Sequence, residues 1–308
     1  MKPLLVTSYV NPDLDGVSCV FAYSELLAKS GATADVRLLG EPIPEVFFMF
    51  KRLGLELPPP IPNAHGYEKI ILLDASEVHL LEGQVPVERV VEVIDHRKVT
   101  NADKFTNAKI QIELVGAAAT LVAERFAAAG AMPSRNNAAL LHAAIISNTM
   151  NFHKTIATGR DLKMAERLAP VSGLGPDFWR ELFAAKSDFA GEKLEKAIKG
   201  DAAKWRFKNG SVGMGQLEMI GAGELLRTRQ GEALKTLWAI GEELGLDYVL
   251  LNVVDIGEDR SYFLAANNGT RQLFEKVLEV GFRGAVAVRE GMMLRKQILP
   301  FLKAELDA

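Results

Sequence analysis

The sequence predicts an α/β fold: a doubly wound, mostly parallel sheet domain followed by a smaller mixed α+β domain. Three observations carry this expectation. A chain of 308 residues with 48% hydrophobic content suits two lobes of ordinary size better than one. Its first half alternates short apolar runs with helical patterns, as βαβ units do. Its second half breaks that rhythm with a hairpin signal at Asn209-Gly210 and further strand-like runs among helices.

Leu4 to Ser8 reads as the first strand. Gly16 to Lys29 reads as a helix, because Val17, Val20, Phe21, Ser24 and Leu27 share one arc at about 3.6 residues per turn. Ala34 to Leu39, Lys69 to Leu73 and Arg89 to Ile94 read as the next strands. Leu57 to Asn63 (LPPPIPN) is a surface loop, since consecutive prolines cannot donate to a ladder. From Ala117 to about Ala185 the pattern is helical, broken at Gly173 and Gly175. Lys186 to Lys199 is a charged, polar, helix-like stretch where a linker is expected, dividing the chain into domains over 1–188 and 200–308. In the latter, Trp205 to Ile220 reads as the hairpin, and Asp247 to Val254 and Ser261 to Ala266 as strands.

Composition narrows the function classes. The 36 basic and 39 acidic residues give a net charge of -3, so nonspecific capture of nucleic acid or anionic membrane is not expected. The lone Cys19 excludes an internal disulfide and a cysteine zinc cluster, and fits a reducing compartment, so a cytoplasmic location is expected. Lys2 and the short apolar stretch after it soon meet Asn11 and Asp13, too brief and too polar for a signal peptide. The most apolar later stretch, Ala138 to Ile146, contains His142 and is about half of the roughly 20 residues a membrane span needs.

Chemistry concentrates where apolar runs end. Asn11-Pro12-Asp13-Leu14-Asp15-Gly16 follows one such run, Ile70-Ile71-Leu72-Leu73 ends in Asp74, and Val90-Val91-Glu92-Val93-Ile94 ends in Asp95-His96-Arg97. In a parallel sheet those ends share one edge, where open α/β sheets bind ligands, so four carboxylates and an imidazole converge. Clustered carboxylates raise each other's pKa or recruit a cation, and oxygen donors suit Mg²⁺ or Mn²⁺. An imidazole among them favours Mn²⁺ over Ca²⁺. Two bland alternatives stand beside this: Asp13 and Asp15 turn the chain and cap the helix, and Arg97 forms a structural ion pair with nearby acids. His65, His79, His142 and His153 are read as ordinary core or surface groups.

NPDLDG, then Asp74 after IILL, then VIDHR and Ile145 to Thr149 (IISNT), resembles in order and spacing the motifs of manganese-dependent family II inorganic pyrophosphatases, in the DHH phosphoesterase superfamily. The resemblance implies Asp13, Asp15, Asp74 and His96 as metal ligands, with Asn148 at the position of a further ligand. It implies Asp95 orienting His96 from behind, and a C-terminal DHHA2-type lobe whose Arg295 and Lys296 grip phosphate. Lys204 lies near a family lysine that binds substrate; the bland alternative for all three cations is plain surface charge. Tyr9, Arg97 and Asn148 stand where the family pattern has histidine, histidine and aspartate, which leaves one or two metals open. The DHR triplet and the missing first histidine also resemble the exopolyphosphatase or Prune branch.

The expected activity is metal-dependent hydrolysis of phosphoanhydride bonds. Asp15 and Asp74 would hold Mn²⁺ (or Mg²⁺) to acidify an attacking water, while Arg97, Lys204 and Lys296 neutralise developing charge. Pyrophosphate is the first-choice substrate, a short polyphosphate or nucleotide phosphoester the alternative, and a phosphate or nucleotide sensor without turnover the third. The expected partner is a small phosphate-containing molecule, with no nucleic acid polymer and no membrane; a homodimer stays open.

Overall fold

A computed structural model describes residues 2–98 and 100–308. The chain divides into two compact units, Met1–Leu182 and Phe183–Ala308. The first runs β1 (Lys2–Thr7), α1 (Leu14–Lys29), β2 (Asp35–Val36), α2 (Pro44–Leu53), β3 (Tyr67–Leu73), β4 (Val90–Asp95), β5 (Lys109–Ile112), α3 (Ala118–Ala128), α4 (Arg135–Asn148) and α5 (Gly159–Ser172), and ends within α6 (Phe178–Lys186). All five strands are parallel, in the order β2-β1-β3-β4-β5. This is a doubly wound order whose switch point lies between β1 and β3.

The strands read as continuous apolar runs because both sheet faces are covered. Leu5 and Val6 are both fully buried, as are Ile70, Leu72 and Leu73. One face packs against α1, which also meets α3 and α4. On the other, Leu5, Ile70, Leu72 and Val93 meet Leu81, Val85 and Phe105, contributed by short helical turns and loops rather than long helices. The expected second strand is shorter than Ala34–Leu39: only Asp35 and Val36 pair with β1, and Leu39 instead bridges Val10 and Ile61.

In the second unit, α7 (Lys193–Asp201), β6 (Ala203–Phe207), β7 (Gly210–Met219), α8 (Ala222–Leu244), β8 (Tyr248–Asp255), β9 (Arg260–Ala265), α9 (Asn268–Leu278), β10 (Phe282–Arg283), β11 (Val286–Glu290) and α10 (Arg295–Leu306) follow in order. The sheet order is β10-β11-β9-β8-β7-β6, antiparallel except for the β7–β8 pair. Helices α7 and α8 cover one face and α9 and α10 the other. The β6–β7 hairpin pairs Phe207 with Gly210, so it turns at Lys208-Asn209, one residue earlier than expected.

Most of α7, Lys193–Asp201, lies within the helix-like stretch where the linker is expected. Leu194 and Ile198 are wholly buried in the core beneath α8, each burial stabilising by about 1.5–3 kcal/mol. Its charged residues are the outer face of an amphipathic helix, which a count of polar residues cannot distinguish from a linker. Among the described residues, no helix is long and apolar enough to cross a membrane.

Candidate metal centre

The carboxyl ends of β1, β3 and β4 bring Asp15, Asp74 and His96 together, and one donor atom from each lies within 4.8 Å of the others. His96 Nε2 is 3.7 Å from Asp15 Oδ2 and 3.5 Å from Asp74 Oδ1. Local folding aims each of these side chains.

Asp13 caps α1, its Oδ1 accepting the Gly16 N–H at 3.0 Å. A Cβ on Gly16 would come 2.5 Å from Ser8 Oγ, so glycine is what lets the helix begin this close to β1. Asp15, fully buried, accepts the Ala118 N–H on Oδ2 at 2.7 Å and the Ala119 N–H on Oδ1 at 2.8 Å. These are first-turn N–H groups of α3, which have no intrahelical acceptor and favour an anion. Asn148 Nδ2, at the end of α4, donates to Asp15 Oδ2 at 2.7 Å.

Asp74 has left-handed backbone at φ 55°, a conformation that costs a non-glycine residue about 1–3 kcal/mol. Its N–H donates to the Ile94 carbonyl at 2.7 Å, and its own carbonyl accepts from Arg97. Its buried Oδ1 accepts no hydrogen bond among the described residues. His96 Nδ1 lies 3.0 Å from the Val115 carbonyl. A carbonyl only accepts, so Nδ1 carries a hydrogen, and it is the neutral form of the ring that offers an Nε2 lone pair toward Asp15 and Asp74. The adjacent Gly116 N–H is gripped by both Asp161 oxygens at 3.0 and 2.9 Å, and Asp161 also accepts from Thr120 Oγ1 at 2.6 Å and the Thr158 N–H at 2.7 Å. A Cβ on Gly116 would lie 2.5 Å from Thr149 Cγ2 and 2.9 Å from Asp161 Oδ2, so this strap also depends on glycine.

The electrostatics fit a cation. Burial pushes Asp15 up to about 6, with Asp13 adding to the rise and His96 opposing it. Burial raises Asp74 well above the usual carboxylate range despite the Arg97 guanidinium. Two buried carboxyls that resist ionising, one with an oxygen that accepts no hydrogen bond, beside His96 Nε2, form an O,O,N set that a divalent ion can complete. That donor set fits Mn²⁺, and its carboxylates fit Mg²⁺.

Several expected ligands do other work. Asp13 is engaged in its cap and is not one of the three converging groups. Asn148 turns its amide nitrogen on Asp15 Oδ2. Asp95 does not touch the His96 ring: its Oδ1 accepts the His96 and Arg97 N–H groups at 2.6 and 3.2 Å, and the ring is oriented by Val115. Burial opposes ionisation of Asp95, but Arg97 prevails and holds it below the usual range. Arg97 lies at the site with its guanidinium on Asp74 and Asp95, both at 3.2 Å, rather than free for a ligand.

In the second unit, Arg295 is paired with Asp201 Oδ2 at 2.6 Å and donates to the Met214 carbonyl at 3.1 Å. Lys204 and Lys296 are exposed. His142 packs in the core with Nδ1 3.0 Å from Ser172 Oγ, as read from sequence.

Sequence reasoning missed Val115, Asp161 and Glu45. Glu45, only 1% exposed, accepts the Leu14 N–H at 3.3 Å and the Ser147 hydroxyl at 2.6 Å, tying the NPDLDG loop to α4. Thr158-Gly-Arg-Asp161 is legible as a capping box, but nothing in it signals the reach to Gly116.

Residues 180–304 match the DHHA2 domain family. Over 311 residues the chain is 30% identical to proteins named probable manganese-dependent inorganic pyrophosphatase from Bacillus cereus and Bacillus mycoides, covering 100% of this chain and of each relative. Among solved structures it is similar to a Methanococcus jannaschii protein assigned to family II inorganic pyrophosphatases, with a TM-score of 0.73 and 28% identity, covering 99% of this chain and 100% of that one.

Proposed function

The chain belongs to the manganese-dependent inorganic pyrophosphatase family, and from that premise we propose that it hydrolyses phosphoanhydride bonds, with inorganic pyrophosphate as substrate and Mn²⁺, or Mg²⁺ in its place, held by Asp15, Asp74 and His96. The observation that carries this reading is the convergence of buried Asp15 and Asp74 with His96, whose Nε2 lies 3.5 Å from an Asp74 Oδ1 that accepts no hydrogen bond. The Arg97 guanidinium lies 3.2 Å from that oxygen without making a hydrogen bond to it, so a cation is its natural further partner.

A metal ion there supplies Lewis-acid polarisation of a phosphoryl oxygen and acidifies a coordinated water. The chain's own residues do the rest. Val115 fixes the His96 tautomer, the α3 N–H groups and Asn148 hold Asp15, and Asp95 anchors Arg97 beside Asp74. Arg97 places a permanent positive charge next to the carboxylates, where it can offset charge on a phosphate. Of the second-unit cations expected to take phosphate, Lys204 and Lys296 are exposed and Arg295 is held by Asp201.

A second reading, a short polyphosphate or nucleotide phosphoester as substrate, is favoured by Tyr9 and Arg97 standing in place of two histidines. Phosphate release from pyrophosphate, tripolyphosphate and a nucleotide, each with Mn²⁺ and with Mg²⁺, tests both. Pyrophosphate turned over fastest supports the first reading, preference for the longer or nucleotide substrate supports the second, and no release from any overturns both in favour of a sensor.

A further inference from the structure

Phosphoryl-transfer sites that use two ions hold them roughly 3.5–4 Å apart, so donors must line both flanks of the carboxylate between them. Here that carboxylate is Asp74, and its two flanks differ. On one side stand Asp15 and His96 Nε2. On the side Arg97 occupies, Nη1 lies 3.2 Å from Asp74 Oδ1, the oxygen that also faces His96 Nε2, and Nη2 lies 3.3 Å from Oδ2.

Three side chains around that second flank serve the guanidinium. Its Nη1 is 3.2 Å from Asp95 Oδ2, its Nε 3.8 Å from Glu77 Oε1, and its Cζ 5.0 Å from the centre of the Tyr9 ring, within cation–π range. The groups that could serve an ion there are engaged elsewhere. The Tyr9 hydroxyl accepts the Asp13 N–H at 3.0 Å, and Asp13 caps α1. A phenol is a weak donor to a divalent ion while it keeps its proton, and burial holds this one protonated.

We propose that the Arg97 guanidinium takes the place of a second metal ion, so that the site holds one divalent ion per chain beside one fixed organic cation. This rests on the reading of Asp15, Asp74 and His96 as a metal site in a phosphohydrolase. It accounts for Tyr9 and Arg97 together. A guanidinium carries one charge rather than two, so it needs fewer anionic donors, and the neutral Tyr9 ring suits it. Arg97 also shares Asp74 with the ion, so the bound metal competes with it for that carboxylate.

The test is Mn²⁺ stoichiometry and affinity, by calorimetry and by elemental analysis after desalting, on the full chain and on two variants whose folding is checked by thermal melts. Wild type binds one ion. Arg97→Gln binds one ion about tenfold more tightly, because Asp74 is no longer shared. Tyr9→His combined with Arg97→His, which empties the flank and supplies imidazoles, binds two. Two ions on wild type overturn the proposal and leave the hydrolase reading intact, whereas no ion on wild type overturns both. A folded Arg97→Gln protein whose affinity is unchanged or weaker also overturns it. If the double variant fails to fold, wild type and Arg97→Gln decide.

Discussion

Asp15 and Asp74 are buried carboxyls whose protein surroundings alone do not fully favour the charged form, and the pH behaviour of the site follows. Burial raises Asp15 to about 6 and Asp74 well above its ordinary range. Metal ligation needs both ionised, so binding Mn²⁺ releases protons. The expected outcome is an affinity that falls as pH drops through about 6, with a calorimetric enthalpy that depends on the buffer's own ionisation heat; equal affinity at about pH 5.5 and pH 7.5 would contradict it. Lys296→Ala should weaken phosphate binding several-fold while leaving Mn²⁺ affinity unchanged, since Lys296 lies in the second unit, outside the O,O,N set. At this scale the acids ending apolar runs were legible because strand ends share one sheet edge. The protein contacts of Asp13, Asn148, Asp95 and Arg295 were not. Whether such a side chain meets a metal, a helix N–H or another charge depends on neighbours up to 133 positions away, as for Asn148 and Asp15.

Helices place the site as much as strands do. The loop before α3 carries Val115 and Gly116, and Asp161 of α5 clamps it through Gly116. Asp161→Ala would leave the Gly116 and Thr158 N–H groups and the Thr120 hydroxyl without their acceptor. It should cost on the order of 3 kcal/mol in denaturant melts and should also weaken Mn²⁺ binding, because His96 loses its fixed Val115 contact; full Mn²⁺ affinity in the folded variant would show that the clamp does not reach the imidazole. On α4, burial depresses His142 to about 4. Its ordinary value is about 6.5, so this histidine's contribution is fully present above about pH 6.5 and is lost as pH falls toward 4. The loss totals on the order of 3 kcal/mol. A folded His142→Gln protein should therefore lose less stability over that window. The boundaries of α1, β3 and β4 were legible to within a few residues because their apolar periodicity is long. The two-residue β2 and four-residue β5 are too short to show one, and α7, read as helix-like, hides its core role because its buried stripe is only Leu194 and Ile198.

The molecule as a whole is a parallel five-stranded unit and a mixed six-stranded unit, and the sequence predicted that pairing from the change of rhythm between its halves. The boundary was harder to see, because the units meet inside α6, between Leu182 and Phe183, where the chain does not become polar. At this scale the account stands on one claim: Asp15, Asp74 and His96 hold a metal that makes the chain a pyrophosphate hydrolase. The most direct measurement is the rate of phosphate release from pyrophosphate as Mn²⁺ is titrated, for wild type and Asp74→Ala side by side after removal of bound metal. The account predicts a wild-type rate that rises from background and saturates with Mn²⁺, and a folded variant that stays at background throughout. Hydrolysis that needs no metal, or that survives Asp74→Ala, would contradict it.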